Sequence, residues 1–204
     1  DINPLLRLLS IALKRWIRTK CKRIGGLEIE INGSNFSLFR GELKKVKVKA
    51  SKVIFKDIEL SKVLLESSPI KVNINFQKEN KNLITSDFKL KGNIMLSEKD
   101  LNALIECRNW YWIKDWLRES LLEDSIPIYF SISDEEVFLV SKTPNKKGIL
   151  KSKLIITTKS KTLLIKNKSL EKESLLPMDS SIGIECCSIK NKSLDINFKS
   201  TVKI

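Results

Sequence analysis

The sequence predicts an α+β fold built on antiparallel sheet. Strand-like alternation fills two long stretches, helical spacing interrupts them once in mid-chain, and the leading residues repeat at the helical period. The resulting order of helix, meander, helix pair and meander differs from the strict strand–helix alternation of a parallel α/β sheet. The 204 residues, 42% hydrophobic and 30% charged, suffice for a single domain with a sizeable core. The expected divisions are an amphipathic helix over 1–25, a first meander over 27–96, a helix pair over 97–122 and a second meander over 126–204.

At 100° per residue, Leu5, Leu6, Leu9, Ala12, Leu13, Trp16 and Ile17 share one arc of the leading helix. Arg7, Lys14 and Arg18 lie opposite, with Arg15 on the flank. Gly25-Gly26 is expected to close this helix, with Lys20, Lys22 and Arg23 in the last turn, where cations suit the dipole. Leu27, Ile29 and Ile31 then alternate with polar residues up to a turn at Asn32-Gly33-Ser34. Val46, Val48 and Ala50 alternate with Lys45, Lys47 and Lys49, and further strands are expected at 53–55, 58–65, Val72-Ile74-Phe76 and Phe88-Leu90.

The period changes at Ser97-Glu98-Lys99-Asp100, a capping-box-like start followed by Leu101, Leu104 and Ile105. Continuing one helix would place Arg108 and Asp115 among apolar positions, so two helices are expected, near 98–107 and 110–122. The second is expected to bury Trp112, Ile113, Trp116, Leu117 and Leu121. Strand patterns return at Ile128-Phe130-Ile132, 137–140, 150–157, 163–165, Ile182-Ile184-Cys186 and Leu194-Ile196-Phe198. A hairpin turn is expected at Asn145-Lys146-Lys147-Gly148, and a polar loop over Asn167 to Pro177.

The formal net charge of +14 and a pI near 9.6 favour an anionic partner: phospholipid, nucleic acid or an acidic protein. Lysine supplies most of that charge, alongside abundant Ile and Asn, so drift toward A/T-rich codons contributes to it as well. Without histidine or a C-x-x-C pair, neither a zinc site nor any other metal or cofactor is expected. Adjacent Cys186 and Cys187 would point to opposite faces of a strand, and with Cys21 and Cys107 they imply no disulfide framework, which fits a reducing compartment. No run reaches the roughly 18–20 apolar residues that span a bilayer. Arg7, Lys14 and Arg15 interrupt the leading helix, which also lacks a small-residue cleavage site and does not read as a secretory signal.

Catalysis finds little support, since there is no G-x-S-x-G, P-loop or G-x-G-x-x-G, and pairs such as Glu28/Glu30 and Glu135/Glu136 read as solvated charges. Three features point to binding, each with a plainer alternative. Trp110, Trp112 and Trp116 are either core packing or a membrane anchor, since indole suits the headgroup boundary. Arg108, Lys114 and Arg118 would then meet phosphates. Lys45, Lys47 and Lys49 are either the wet face of a sheet or an electrostatic platform. The leading helix either packs on the sheet, lies at a membrane interface, or does both around an apolar channel.

The order of segments resembles a known family. Leu38-Phe39-Arg40-Gly41-Glu42-Leu43 is followed by Val46-Lys47-Val48-Lys49-Ala50-Ser51, by Val53 to Leu60, by Glu66-Ser67-Ser68-Pro69-Ile70, and by Leu96-Ser97-Glu98-Lys99-Asp100-Leu101-Asn102. These segments are similar to the LmeA-like phospholipid-binding family in its cyanobacterial form. That family shows a "V-x-V-x-A" element, a "G-(I/L)-x-L" step and a helix opened by "L-(S/T)-x-x-D-L-N". Asp57 stands where the family commonly has Gly. The match covers most of residues 5–122. It implies a tubular, BPI-like architecture, with a curved antiparallel sheet wrapped around a long helix, and phospholipid binding or shuttling without catalysis.

The expected function is therefore that of a non-enzymatic, peripheral lipid-binding protein that holds or shuttles anionic phospholipid in an apolar groove, on the cytoplasmic side rather than in the periplasm. Acyl chains would lie among Leu5, Leu9, Leu13, Trp16, Val46, Val48, Val72, Ile74 and Phe88, with Arg7, Arg15, Arg18 and Lys47 at the headgroup. The alternative is a basic nucleic-acid-binding or protein-interaction module. Against nucleic acid, no aromatics interleave with the lysines and no RNP1-like or helix-turn-helix pattern appears.

Overall fold

The computed structural model describes residues 4–74, 82–144 and 148–204. Helix α1 (Pro4–Lys20) opens the described chain. Proline suits its first turn, and Arg18 and Lys20 lie in its last, where they complement the carbonyl end. The helix stops earlier than expected, because Gly25 and Gly26 belong to strand β1 (Arg23–Asn32). Pairing with β3 (Lys45–Phe55) already begins at Arg23, opposite Ile54. A Cβ on Gly26 would sit 2.7 Å from Ser51 Oγ, so these glycines let two strands approach and do not cap a helix.

Between β1 and β3 lie a short helix, α2 (Asn35–Phe39), and strand β2 (Glu42–Leu43). Strand β4 (Ile58–Ser67) returns from β3 through Lys56-Asp57, whose φ angles of 47° and 65° make a tight two-residue turn. Strand β5 (Ile70–Lys71) pairs with β2 in a small two-stranded sheet. The strand expected over Val72-Ile74-Phe76 reduces to a single bridge between Val72 and Ile84, with Ile74 in a turn; Phe76 lies outside the described residues.

Strand β6 (Phe88–Ser97) runs directly into α3 (Glu98–Glu106), and a 3₁₀ turn (Arg108–Trp110) leads to α4 (Tyr111–Leu121), matching the expected helix pair. Strands β7 (Ile126–Ser133), β8 (Glu136–Lys142), β9 (Ile149–Lys159), β10 (Thr162–Asn167) and β11 (Lys172–Leu175) form a second sheet in the order β11-β10-β9-β8-β7. Strand β11 occupies part of the segment expected to be loop. The turn expected at 145–148 lies, apart from Gly148, outside the described residues. Strands β12 (Ile182–Lys190) and β13 (Ser193–Val202) leave that sheet and complete the first, whose order is β1-β3-β4-β6-β13-β12. Both large sheets are open, with antiparallel pairing throughout the described residues.

Two apolar clusters hold the fold together. In the larger, Leu101 and Ile105 of α3 and Ile113, Leu117 and Leu121 of α4 pack with residues of both sheets, among them Val63, Leu139, Leu163 and Ile196. The smaller joins Leu9 and Leu13 of α1 to Val46 and Val48 of β3, Leu38 of α2, and Ile70, Val72, Leu83, Ile84 and Phe88. Leu27 and Leu65 border both clusters. The inward face of β3 thus serves α1 at Val46 and Val48 and the larger core at Ala50 and Val53. Lys52, at φ 51°, shifts the phase between them. The core shared by the two sheets is filled by α3 and α4, while α1 covers the other end of the first sheet.

Candidate functional site

The seam between α1 and the first sheet follows from two periodicities. The helical repeat places Leu9 and Leu13 on one face, at 0% and 2% exposure, and the strand repeat turns Val46 and Val48 toward them. Val72 and Phe88 are buried in the same cluster, and Leu5 and Trp16 are half-buried at its border. Eight of the nine residues expected around an acyl chain are thus packed in this seam or at its margin: Leu5, Leu9, Leu13, Trp16, Val46, Val48, Val72 and Phe88. Ile74 does not. It is exposed in the turn beside Gly41, because the expected strand ends before it.

The seam is filled by the chain's own side chains. Leu38, Leu43, Ile70, Leu83 and Ile84, absent from the sequence-based set, are all buried within it. Their signal was weak, since each stands in a short element where no period can be measured.

The outer face of α1 carries Arg7, Arg15 and Arg18, all exposed. Leu8 and Ile11, at 45% and 57% exposure, lie among them. Sequence reasoning passed over these two, although the helical wheel already sets Ile11 between Arg18 and Arg15. The outer face of α1 thus mixes aliphatic groups with arginines. Trp16 sits at the border of the seam with Lys20 Nζ 5.3 Å from its ring centroid.

Lys47 does not join the arginines. Strand alternation sends it to the sheet face opposite Val46 and Val48, where its Nζ lies 3.7 Å from Glu30. Lys45 pairs with Glu66 at 2.8 Å, and that contact, with the nearby lysines, holds the Glu66 carboxyl below its ordinary range. The lysine stripe of β3 is therefore interleaved with carboxylates from both neighbouring strands.

The tryptophans are divided. Trp110 packs against the larger core and donates its Nε1–H to the Lys56 carbonyl at 2.7 Å, and Trp116 packs on that core as well. Trp112, expected to be buried, is 39% exposed beside exposed Tyr111. Its ring lies 6.1 Å from that of Trp110, tilted by 45°. Arg118 lies near Asp115 and Glu119, at 3.8 and 3.5 Å. These aromatics belong with the larger core and not with the α1 seam.

A chain of polar contacts secures the sheet beneath these sites. Ser97 caps α3, and Asp100 returns the bond to the Ser97 backbone at 2.8 Å while also accepting from the Ser61 hydroxyl of β4. Asn102 accepts from Phe130 N at 2.6 Å and donates to Phe130 O at 3.0 Å, and Glu98 accepts from Ile132 N at 2.8 Å. The S-x-x-D-L-N segment thus stitches α3 to β4 and covers the edge of β7.

Among the described residues no three of Cys, Asp and Glu converge as a metal site, and no helix is long and apolar enough to cross a membrane. All four cysteines are free thiols. The LmeA-like phospholipid-binding family model matches residues 3–175. No curated protein and no solved structure matches the chain. With most of its length matched, the chain belongs to the LmeA-like phospholipid-binding family.

Proposed function

We propose that this LmeA-like chain is a non-enzymatic, peripheral lipid-binding protein that holds or shuttles anionic phospholipid. Acyl chains occupy the seam of Leu5, Leu9, Leu13, Trp16, Val46, Val48, Val72 and Phe88, and Arg7, Arg15 and Arg18 engage the headgroup. The observation that carries this reading is the two-sided character of α1. Its inner stripe is aliphatic and buried, and its outer face sets exposed Leu8 and Ile11 among arginines.

Lipid entry on this reading exchanges leucine packing for tail packing. Burying a leucine stabilises by about 1.5–3 kcal/mol and each buried methylene of a tail by about 0.8 kcal/mol, so a tail that displaces Leu9 and Leu13 exchanges like for like. Lifting α1 at the Cys21–Lys22 connection would admit it, and the sheet's curvature around the tail would give the tubular arrangement of the family resemblance. The nucleic-acid alternative draws less support, because Glu30 and Glu66 stand beside the lysines it requires.

Native mass spectrometry of the purified chain, with binding to anionic liposomes, tests the reading. Co-purified or acquired phospholipid is the expected result; bare protein that ignores such liposomes overturns it. Leu9→Ala with Trp16→Ala should abolish lipid uptake and leave any nucleic-acid affinity unchanged. Because the buried leucine alone costs about 2–5 kcal/mol, folding is verified by circular dichroism. Replacing Arg7, Arg15 and Arg18 by Gln spares the core and should remove the preference for anionic over zwitterionic lipid. Nucleic-acid binding with a steep salt slope and no lipid preference would instead favour the alternative.

A further inference from the structure

Helix α2 leaves two large aromatic rings in solvent, with Phe36 at 70% and Phe39 at 69% exposure. The other side of the same short helix is fixed: Ser37 is buried and Leu38 is fully enclosed in the smaller core. Both ends are tied. Ser34 Oγ accepts from Ser37 N at 3.2 Å, and after the helix the Gly41 carbonyl accepts from Val72 N at 2.7 Å. Gly41 takes φ +70°, and a Cβ there would meet the Val72 carbonyl at 2.3 Å, so this close turn requires glycine. The rings are therefore held out from a firm base.

The surroundings of the rings suit one environment. Ile74, also exposed, brings its Cγ2 to within 3.8 Å of the Cβ position at Gly41, adding a third apolar group beside the turn. The Arg40 guanidinium lies 5.4 Å from the Phe36 ring centroid. Behind Ser37 opens a half-enclosed cleft of about 490 Å³, whose lining includes Lys44 and Lys71 of the β2–β5 region together with Glu42 and Asp87. Among the described residues, Arg40, Lys44 and Lys71 form no salt bridge, whereas Lys45 and Lys47 of the sheet do. Exposed rings with the Arg40 guanidinium beside one of them, and Lys44 and Lys71 in the cleft behind the helix, complement the interface of an anionic bilayer, where aromatic groups settle at the boundary and cations meet phosphates.

We propose that α2 is a membrane-docking tip, with Phe36, Phe39 and Ile74 entering the interface of an anionic bilayer and Arg40, Lys44 and Lys71 meeting its headgroups. This surface faces away from the seam proposed to hold lipid, into which the same helix sends Leu38. It deepens the proposed function by naming where the protein meets the membrane.

Co-sedimentation of the full chain with phosphatidylcholine vesicles, with and without phosphatidylglycerol, tests this. The wild type should partition onto the anionic vesicles, Phe36→Ser/Phe39→Ser should bind roughly tenfold more weakly or worse, and Phe36→Trp/Phe39→Trp should bind at least as well as wild type. Exposed positions leave the fold intact, so the serine variant should melt with the wild type. Partitioning of the serine variant within about twofold of wild type overturns the tip, as does wild type that ignores anionic vesicles. A change of oligomeric state in place of vesicle binding assigns the surface to a second copy and also overturns it. Phospholipid uptake from detergent micelles, read by native mass spectrometry, reports on the seam alone. A serine variant that loads lipid there but leaves vesicles unbound supports the tip, and wild type that docks but never loads lipid sinks the seam only.

Discussion

Asp57 shows how one side chain can serve backbone and contact together. It holds φ 65° in the β3–β4 turn, a left-handed conformation that glycine meets freely and aspartate tolerates better than most residues. The family commonly has Gly there; here the side chain also reaches Asn109 after α3 and Lys22 after α1. The Asn109 hydrogen bond, then the Lys22 bond and charge, lower its carboxyl from the ordinary value. A lowered folded pKa gives a contribution to stability that is present above the ordinary carboxylate value, near 3.9, and lost as pH falls through the lowered one. Carboxyl NMR titration should therefore place Asp57 below an unperturbed aspartate, and Asn109→Ala should move it upward; an unchanged midpoint in the variant would refute the assignment. The departure from Gly was visible in the sequence. Its two partners were not, because each is more than thirty residues away in the chain.

At the scale of elements, what was legible depended on length and on partners. The start of α3 could be read because Ser97 and Asp100 are neighbours in sequence and satisfy each other's backbone. The role of Asn102 could not, since its partner Phe130 belongs to a strand beyond α4. Asn102→Ala leaves the Phe130 N–H and carbonyl without this partner and should cost about 1–3 kcal/mol, read as a lower melting temperature; an unchanged midpoint would show that the edge is satisfied by water. Helix α2 escaped notice because five residues display no period, although Ser34 before Asn35 is an N-cap signal. The end of α1 was misplaced because Gly25-Gly26 matches a helix stop and a close strand crossing equally well. Several hairpins turn on polar pairs without glycine, such as Asp134-Glu135 and Asn191-Lys192, all at positive φ. Polarity revealed these turns more clearly than turn type would have.

For the whole molecule, alternation disclosed most strands but could not assign them to sheets. The second meander divides: β7 to β11 stand as one sheet, while β12 and β13 return to pair with β6. That choice depends on non-local register, Ser193 opposite Ser97, which local patterning does not encode. The seam residues of α1 and β3 were readable because helix and strand periods each mark one face. The closing of the seam was not, because Leu43, Ile70 and Ile84 reach it from short connections. The charge of +14 likewise needed the structure, which matches part of the β3 lysine stripe with glutamates and leaves arginines on the outside of α1. The proposed function has a lipid tail replacing leucine packing between α1 and the first sheet. An anionic phospholipid carrying a photoreactive group midway along its acyl chain tests it most directly, with adducts mapped by peptide mass spectrometry. Adducts on peptides containing Leu9, Leu13, Val46, Val48 or Phe88 are the expected result. Adducts confined to outward-facing peptides, or none above an unreactive control, would rule out tail insertion in the seam.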